Sequence, residues 1–228
     1  MTGRGEHDLG AELEASELSA VPERGWVADD VSVELAGVGL HCLLVERGSG
    51  RSPRHVKDRL KVLAGRYSGA QAVNLRHQAI PWAYRVFFRH IGLDPDEQRT
   101  PVEEVALERM RKGGFPSVSL LDDALTIAIA ESGVALRAFD ADCVDGRLGI
   151  RLSAPEEPLE GRPGDLPIGT LVIADEVRPI ALLFGATGSG RGVSDKSKRT
   201  LLCAIQVRGV PDIAVEEALW LAAGVLRS

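Results

Sequence analysis

PSVSLLDDALTIAIAESGVALRAFD, residues 116–140, is the stretch in which the chain changes its period. Ser119 followed by Asp122 reads as a helix start. A short oxygen-bearing side chain there can accept from the first turn, and the Asp122-Asp123 acids suit the positive end of the helix dipole. The apolar run that follows continues to Gly133, which stops the helix. From Val134 to Phe139 the pattern becomes that of a strand.

The sequence on either side of this pivot differs in kind. Upstream it is mostly helical. Pro53 opens a helix to about Leu63, with Val56, Leu60 and Leu63 on one face. Pro81 to Ile91 reads as a second helix. Thr100-Pro101-Val102-Glu103 starts a third with a capping box and a proline at the first position, and it runs to Lys112 before Gly113-Gly114. Downstream lie strands at Arg147–Leu152, Thr170–Ala174, Pro179–Phe184 and Thr200–Val207, with turns at Asp145-Gly146 and Asp175-Glu176. Asp212 is expected to cap a last amphipathic helix through Leu226. Helices first and strands later predict an α+β fold rather than alternating βαβ units. Nearer the N-terminus, Val31–Leu35 and Leu40–Val45 flank Ala36-Gly37-Val38-Gly39 and read as a hairpin. Residues 1–24 are acidic, poor in large apolar groups, and read as a mobile tail ahead of a single domain over 25–228.

Composition narrows the function classes. Of the 228 residues 44% are hydrophobic, 26% charged and only 4% aromatic. No uninterrupted apolar run reaches membrane-spanning length, and the N-terminus lacks the basic and apolar regions of a signal peptide. Cys42, Cys143 and Cys203 are far apart and in no metal or redox spacing, and the five histidines show no ligand spacing. The expectation is a reduced cytoplasmic protein with no membrane partner, no metal and no cofactor. The net charge of −6 hides an asymmetry. Residues 1–50 carry ten acids and three bases, residues 51–90 nine bases and one acid, and the remainder fifteen bases and twenty-two acids. A basic block between acidic flanks suits a polyanionic partner, and suits equally well a fold that pairs the block with its own acids. Arg54, Lys57, Lys61, Arg85 and Arg89 are the candidates for phosphate contact in the block. Trp82, Tyr84, Phe87 and Phe88 lie among them, either as stacking platforms or as core.

The glycine-rich stretch Gly185–Gly192 matches neither nucleotide template. A P-loop needs Lys and then Ser or Thr after its last glycine, whereas Arg191-Gly192 follows Gly190. What remains is a loop whose N–H groups could approach a ligand, with Arg191, Lys196 and Lys198 beside it as further phosphate candidates. No serine sits in a nucleophile elbow.

Several motifs in one order carry a resemblance. They are Pro116–Asp123, Arg137-Ala138-Phe139-Asp140, Arg147–Glu157, Gly169–Glu176, Pro179-Ile180-Ala181, the Gly185–Ser189 loop, Ser197-Lys198 and Leu201-Leu202, with Gly92–Pro95 and Arg99–Pro101 upstream. Together, over residues 84–207, they resemble the B3/B4 domain of the bacterial phenylalanyl-tRNA synthetase beta subunit and its free-standing relatives. The resemblance implies a β-rich three-layer α+β domain that binds the acceptor end of tRNA. It also implies a pocket for the aminoacyl group, from which a wrong amino acid is hydrolysed. Ser119, Asp123, Thr126, Arg137, Gly185, Gly188, Ser189 and Cys203 are the pocket candidates it supplies. At four of them the chain departs from the family, with Thr126 for an Asn, Arg137 for a His, Cys203 for the Glu that reads a tyrosine hydroxyl and Ser189 for a loop glycine. The motifs of a synthetase core are absent, so the implied activity is ester hydrolysis on misacylated tRNA in trans, not ligation. The alternative is a small-molecule or amino-acid binding protein that keeps the pocket without RNA.

Overall fold

The computed structural model describes residues 21–67 and 74–228. Its elements are β1 (Glu23–Arg24), β2 (Trp26–Val27), α1 (Asp29–Glu34), β3 (Gly39–Val45), α2 (Arg54–Arg66), α3 (Ala79–His90), α4 (Pro101–Lys112), α5 (Leu120–Ser132), β4 (Ala135–Asp140), β5 (Gly149–Leu152), β6 (Leu171–Ala174), β7 (Pro179–Leu182), β8 (Thr200–Gln206) and α6 (Asp212–Arg227). Two four-stranded sheets result, ordered β1–β3–β8–β4 and β2–β5–β6–β7, and neither is a closed barrel. The first is antiparallel throughout, and the second is antiparallel except for the parallel pair β2–β5. The fold is α+β, as the change of period at Gly133 predicts.

The sequence places α2 to α5 within a few residues of where they lie. Both halves of the capping box at Thr100 form, and Gly113 and Gly133 end α4 and α5 in the left-handed conformation. The first arm of the expected hairpin is a correction. Residues 29–34 are helical, not extended. Val31, Val33 and Leu35 alternate like a strand, but only Val31 and Leu35 are buried, while Val33 is 83% exposed. That is the four-residue spacing of a helix face, and Asp29 and Asp30 favour its first turn. The strand beside β3 is β1, with Glu23 opposite Cys42, so pairing begins inside the segment read as a tail, whose residues 1–20 lie outside the described residues. Gly25 is the crossing point. Its N–H bonds to Leu40 O in the first sheet, while the next N–H, on Trp26, bonds to Leu148 O in the second. A Cβ on Gly25 would lie 2.4 Å from Leu148 O, so the crossing requires glycine. Asp212 is a second correction. Pro211 holds the cap position, and the Asp212 carboxylate instead accepts from Gln206 at 2.6 Å and from Arg24 at 2.6 Å.

The layers follow from strand parity. Gln206 reaches Val210 O and Asp212, so α6 covers the face of the first sheet that carries Gln206, and α5 packs on α6. Arg137 points from the opposite face and reaches the end of β7 in the second sheet. One apolar cluster joins α2–α6 to the first sheet and to Ile150, Ile173 and Ile180 of the second. A smaller one, Leu159, Leu166, Val172 and Ala174, lies beside it. Among the described residues no helix is long and apolar enough to cross a membrane, and no cluster of three His, Cys, Asp or Glu side chains is placed to hold a metal ion.

Candidate functional site

Tyr84 lies behind the site, against the Phe184 ring that lines it. It is fully buried on α3, and its hydroxyl accepts from Ala135 N at 3.0 Å and donates to Ile205 O at 2.5 Å, spanning β4 and β8. Burial holds that phenol well above its ordinary pKa, so it acts only as a neutral bridge. Tyr84, Phe87 and Phe88 meet Phe184 edge-on, with centroids 6.2, 5.9 and 4.7 Å away. The helical aromatics are therefore core, apart from Trp82. That ring is 47% exposed and lies 5.8 Å beneath the Arg89 guanidinium.

Beside Phe184, between α4 and the open edge of β4, is a cavity of about 990 Å³. Its apolar lining includes Phe88, Ile129, Leu136, Leu183, Phe184 and Ile205. Arg99, Arg111 and Lys112 bring positive charge to it, and Glu97, Glu104 and Glu108 negative charge. Glu108 pairs with Lys112. A second cavity of about 540 Å³ shares Gln98, Leu183 and Phe184 with the first and extends toward His90 and Leu171. Gln98 donates to Phe184 O at 3.1 Å along the shared wall.

Arg137 and Gly185 are the two pocket candidates that line the larger cavity. Arg137 clips the two sheets together. Its guanidinium donates to Leu182 O at 2.8 Å, Gly185 O at 2.8 Å and Thr187 Oγ1 at 2.7 Å. Burial lowers its pKa from the usual arginine value, and a guanidinium keeps its charge in a protein. The cation is already held by neutral oxygens, and its geometry is that of a loop anchor. Backbone N–H groups of the Gly185–Gly192 loop are likewise already engaged. Gly188 N bonds to Ile180 O, Ser189 N to Glu160 O and Arg191 N to Gly188 O, so these N–H groups do not form a phosphate cradle. A Cβ at Gly188 would sit 3.0 Å from Ile180 O, which explains the glycine.

The other pocket candidates lie elsewhere. Ser119 caps α5, accepting from Asp122 N at 3.1 Å. Asp123 is buried and accepts from Ser52 at 2.5 Å, Ser117 at 2.6 Å and Val118 N at 3.1 Å, which fastens the start of α5 to two loops. Thr126 is half-buried on α5, and Ser189 is exposed on the loop. Cys203 is fully buried directly opposite Arg137, with Cys42 on its other side. Burial and the neighbouring Cys42 push its thiol well above the usual range.

The basic candidates divide in two. Arg85 is internal, donating to Glu103 at 2.7 Å and Asp96 at 2.7 Å. Arg191 is held by Glu160 at 2.7 Å. Arg54 and Lys61 sit beside Asp58, at 3.7 and 2.8 Å. Arg89, Lys196 and Lys198 are exposed, and Lys57 is half-buried; none of these four is in an ion pair among the described residues. Sequence reasoning missed Glu103 as the partner of Arg85, although the capping box marked it as placed. It also missed Ser52, for which the sequence gives no signal.

Fold and site define a class first: an α+β domain whose two sheets are clipped by an arginine beside an open, aromatic-walled cavity. Residues 83–214 match the B3/4 domain family, and the chain belongs to it. It is similar to the phenylalanine–tRNA ligase beta subunits of Shewanella oneidensis, 37% identical over 101 residues, and Xanthomonas oryzae pv. oryzae, 36% identical over 114. The subunit of Xylella fastidiosa is 38% identical over 94 residues. These matches cover 40–49% of this chain but only 12–14% of the relatives.

Proposed function

We propose that this B3/4 domain binds tRNA and receives its aminoacylated end in the cavity between α4 and β4. The observation that carries the reading is the cavity itself. At about 990 Å³ it lies at the upper end of the ~300–1,000 Å³ typical of small-ligand sites. Its apolar lining accepts a large amino-acid side chain, and Arg99, Arg111 and Lys112 offer charge to the phosphates that follow. The relatives' names support tRNA as the polyanion.

Hydrolysis of a misplaced aminoacyl ester is the finer part of the proposal. Such an ester is already activated, so orienting the ester and a water in a desolvated site is sufficient chemistry. With Cys203 buried beside Arg137, a selected tyrosine hydroxyl has no carboxylate reader at that position. Selection is therefore by apolar fit, which discriminates weakly between related side chains.

The test is tRNA binding by fluorescence anisotropy across a salt series. Wild type should bind, with log K falling linearly in log salt. The double variant Arg111→Glu/Lys112→Glu should bind at least about tenfold more weakly and with a shallower slope, having lost two phosphate contacts. Absence of binding even at low salt would favour the small-molecule alternative, a reading that the internal pairing of Arg85 and Arg191 already favours. Deacylation of a misacylated tRNA panel then reads the finer claim directly.

A further inference from the structure

Cys42 and Cys203 stand opposite each other in the β3–β8 register, with their Sγ atoms 3.2 Å apart. Neighbouring backbone bonds fix what kind of pair this is. Leu40 O accepts from Gly25 N on the β1 side, so Leu40 turns its peptide groups away from β8, and Cys42, two residues on, does the same. On the other flank the Tyr84 hydroxyl sits between Ala135 N and Ile205 O, where a ladder bond would lie. Ile205, and with it Cys203, therefore turns its peptide groups toward β4. Asp140 agrees, because its N–H points away from β8 to Arg191 O, in the opposite phase to Arg137. Cys42–Cys203 is thus a non-hydrogen-bonded pair. In such pairs the Cα atoms lie about 4.5 Å apart and the side chains are closest. That separation is within the ~4.4–6.8 Å that a disulfide spans.

We propose that Cys42 and Cys203 form a redox-active dithiol that a hydroperoxide closes to a cross-strand disulfide. Cys42 is half-buried and Cys203 fully buried, so the peroxide meets Cys42 first. The Cys42 thiolate attacks a peroxide oxygen. The S–O bond forms, the O–O bond breaks, and the departing hydroxide leaves as water, giving a sulfenic acid. The Cys203 sulfur then attacks the Cys42 sulfur. The S–S bond forms, the S–O bond breaks, and the leaving hydroxide carries off the Cys203 proton as a second water. Two thiols and one hydrogen peroxide become one disulfide and two waters. Burial raises the Cys203 thiol, which suits the resolving rather than the peroxide-facing role. Cys143, in the turn after β4, has neither sulfur opposite it and serves as an internal control. The bond would fasten β3 to β8 in the row that ends at Arg137, on the wall of the larger cavity.

The experiment treats the full chain with hydrogen peroxide, alkylates the remaining thiols and maps the peptides without reduction. The expected result is a single intramolecular Cys42–Cys203 link with the mass of two hydrogens lost, reversed by dithiothreitol, with Cys143 still alkylated. Cys203→Ser should stop at a Cys42 sulfenic acid trapped by dimedone, and Cys42→Ser should leave Cys203 as a thiol. If Cys203→Ser does not fold, Cys203→Ala takes its place, and the wild-type map stands without either. Recovery of both Cys42 and Cys203 as free thiols, a link through Cys143, or a link between two chains would overturn the proposal.

Discussion

Two arginines four residues apart on α3 have opposite surroundings. Arg85 is 2% exposed, fixed by Glu103 and Asp96, beside the fully buried Tyr84. Arg89 lies on the outer face over the exposed Trp82 ring, with no carboxylate partner among the described residues. The contrast holds across the molecule. Arg85, Arg137 and Arg191 hold carboxylates or loops, while on the outer faces of α2 and α3, at Arg111 on α4 and in the Lys196–Lys198 segment several cations face solvent. The buried charges are architecture around a cavity; the cations that could meet a polyanion are the exposed ones, at the cavity rim and on the outer faces.

The largest effect expected from this contrast is at Arg85. Arg85→Ala leaves the Glu103 carboxylate, 9% exposed, without its buried cation, and should cost about 3–5 kcal/mol in urea denaturation. Arg89→Ala should cost no more than about 1 kcal/mol. Equal losses at the two sites would break the comparison. Next is Asp123, whose removal leaves Ser52, Ser117 and Val118 N without their acceptor. Asp123→Ala should lose about 2–3 kcal/mol, whereas Asp122→Ala should lose about 1 kcal/mol as part of a cap. A smaller effect tests the second sheet's outer rim. Hydrogen bonds from Arg191, and then from Arg178, hold the Glu160 carboxyl down at about 2. Because the folded value lies below the unfolded one, this contribution is complete above about pH 4.5 and is lost as the pH falls toward 2. Glu160 is 40% exposed, so screening keeps the contribution under about 1 kcal/mol. Glu160→Gln should therefore flatten the acid limb of the stability profile slightly and leave stability above pH 6 within about 1 kcal/mol of wild type. A loss confined to alkaline pH would contradict the assignment.

Much of the fold is legible in the sequence because local chemistry and tertiary placement agree there. Ser119, Thr100, Pro101, Gly113 and Gly133 mark helix ends that the structure keeps. Val31–Leu35 shows where that agreement fails. A short apolar alternation satisfies both periods, and only the exposure of Val33 separates them. The site is harder to read. The motif residues name the right neighbourhood, since Arg137 and Gly185 do line the cavity. Their roles depend on partners far away in sequence. Arg137 meets the 182–187 loop, Asp123 meets Ser52, and Cys203 meets Cys42, and no local pattern announces any of these. The basic block is similar: charge counting finds it, but only three-dimensional pairing separates Arg85 from Arg89.

The most direct test of the cavity as the acceptor-end site is photocrosslinking. A tRNA carrying a benzophenone-bearing phenylalanine ester at its 3′ end is mixed with the full chain, irradiated and mapped by mass spectrometry. Adducts are expected on the cavity lining at Phe88, Leu136 or Phe184, lost when uncharged tRNA is added in excess. Adducts confined to the exposed face around Trp82, or none under conditions where the tRNA binds, would contradict the assignment to the cavity.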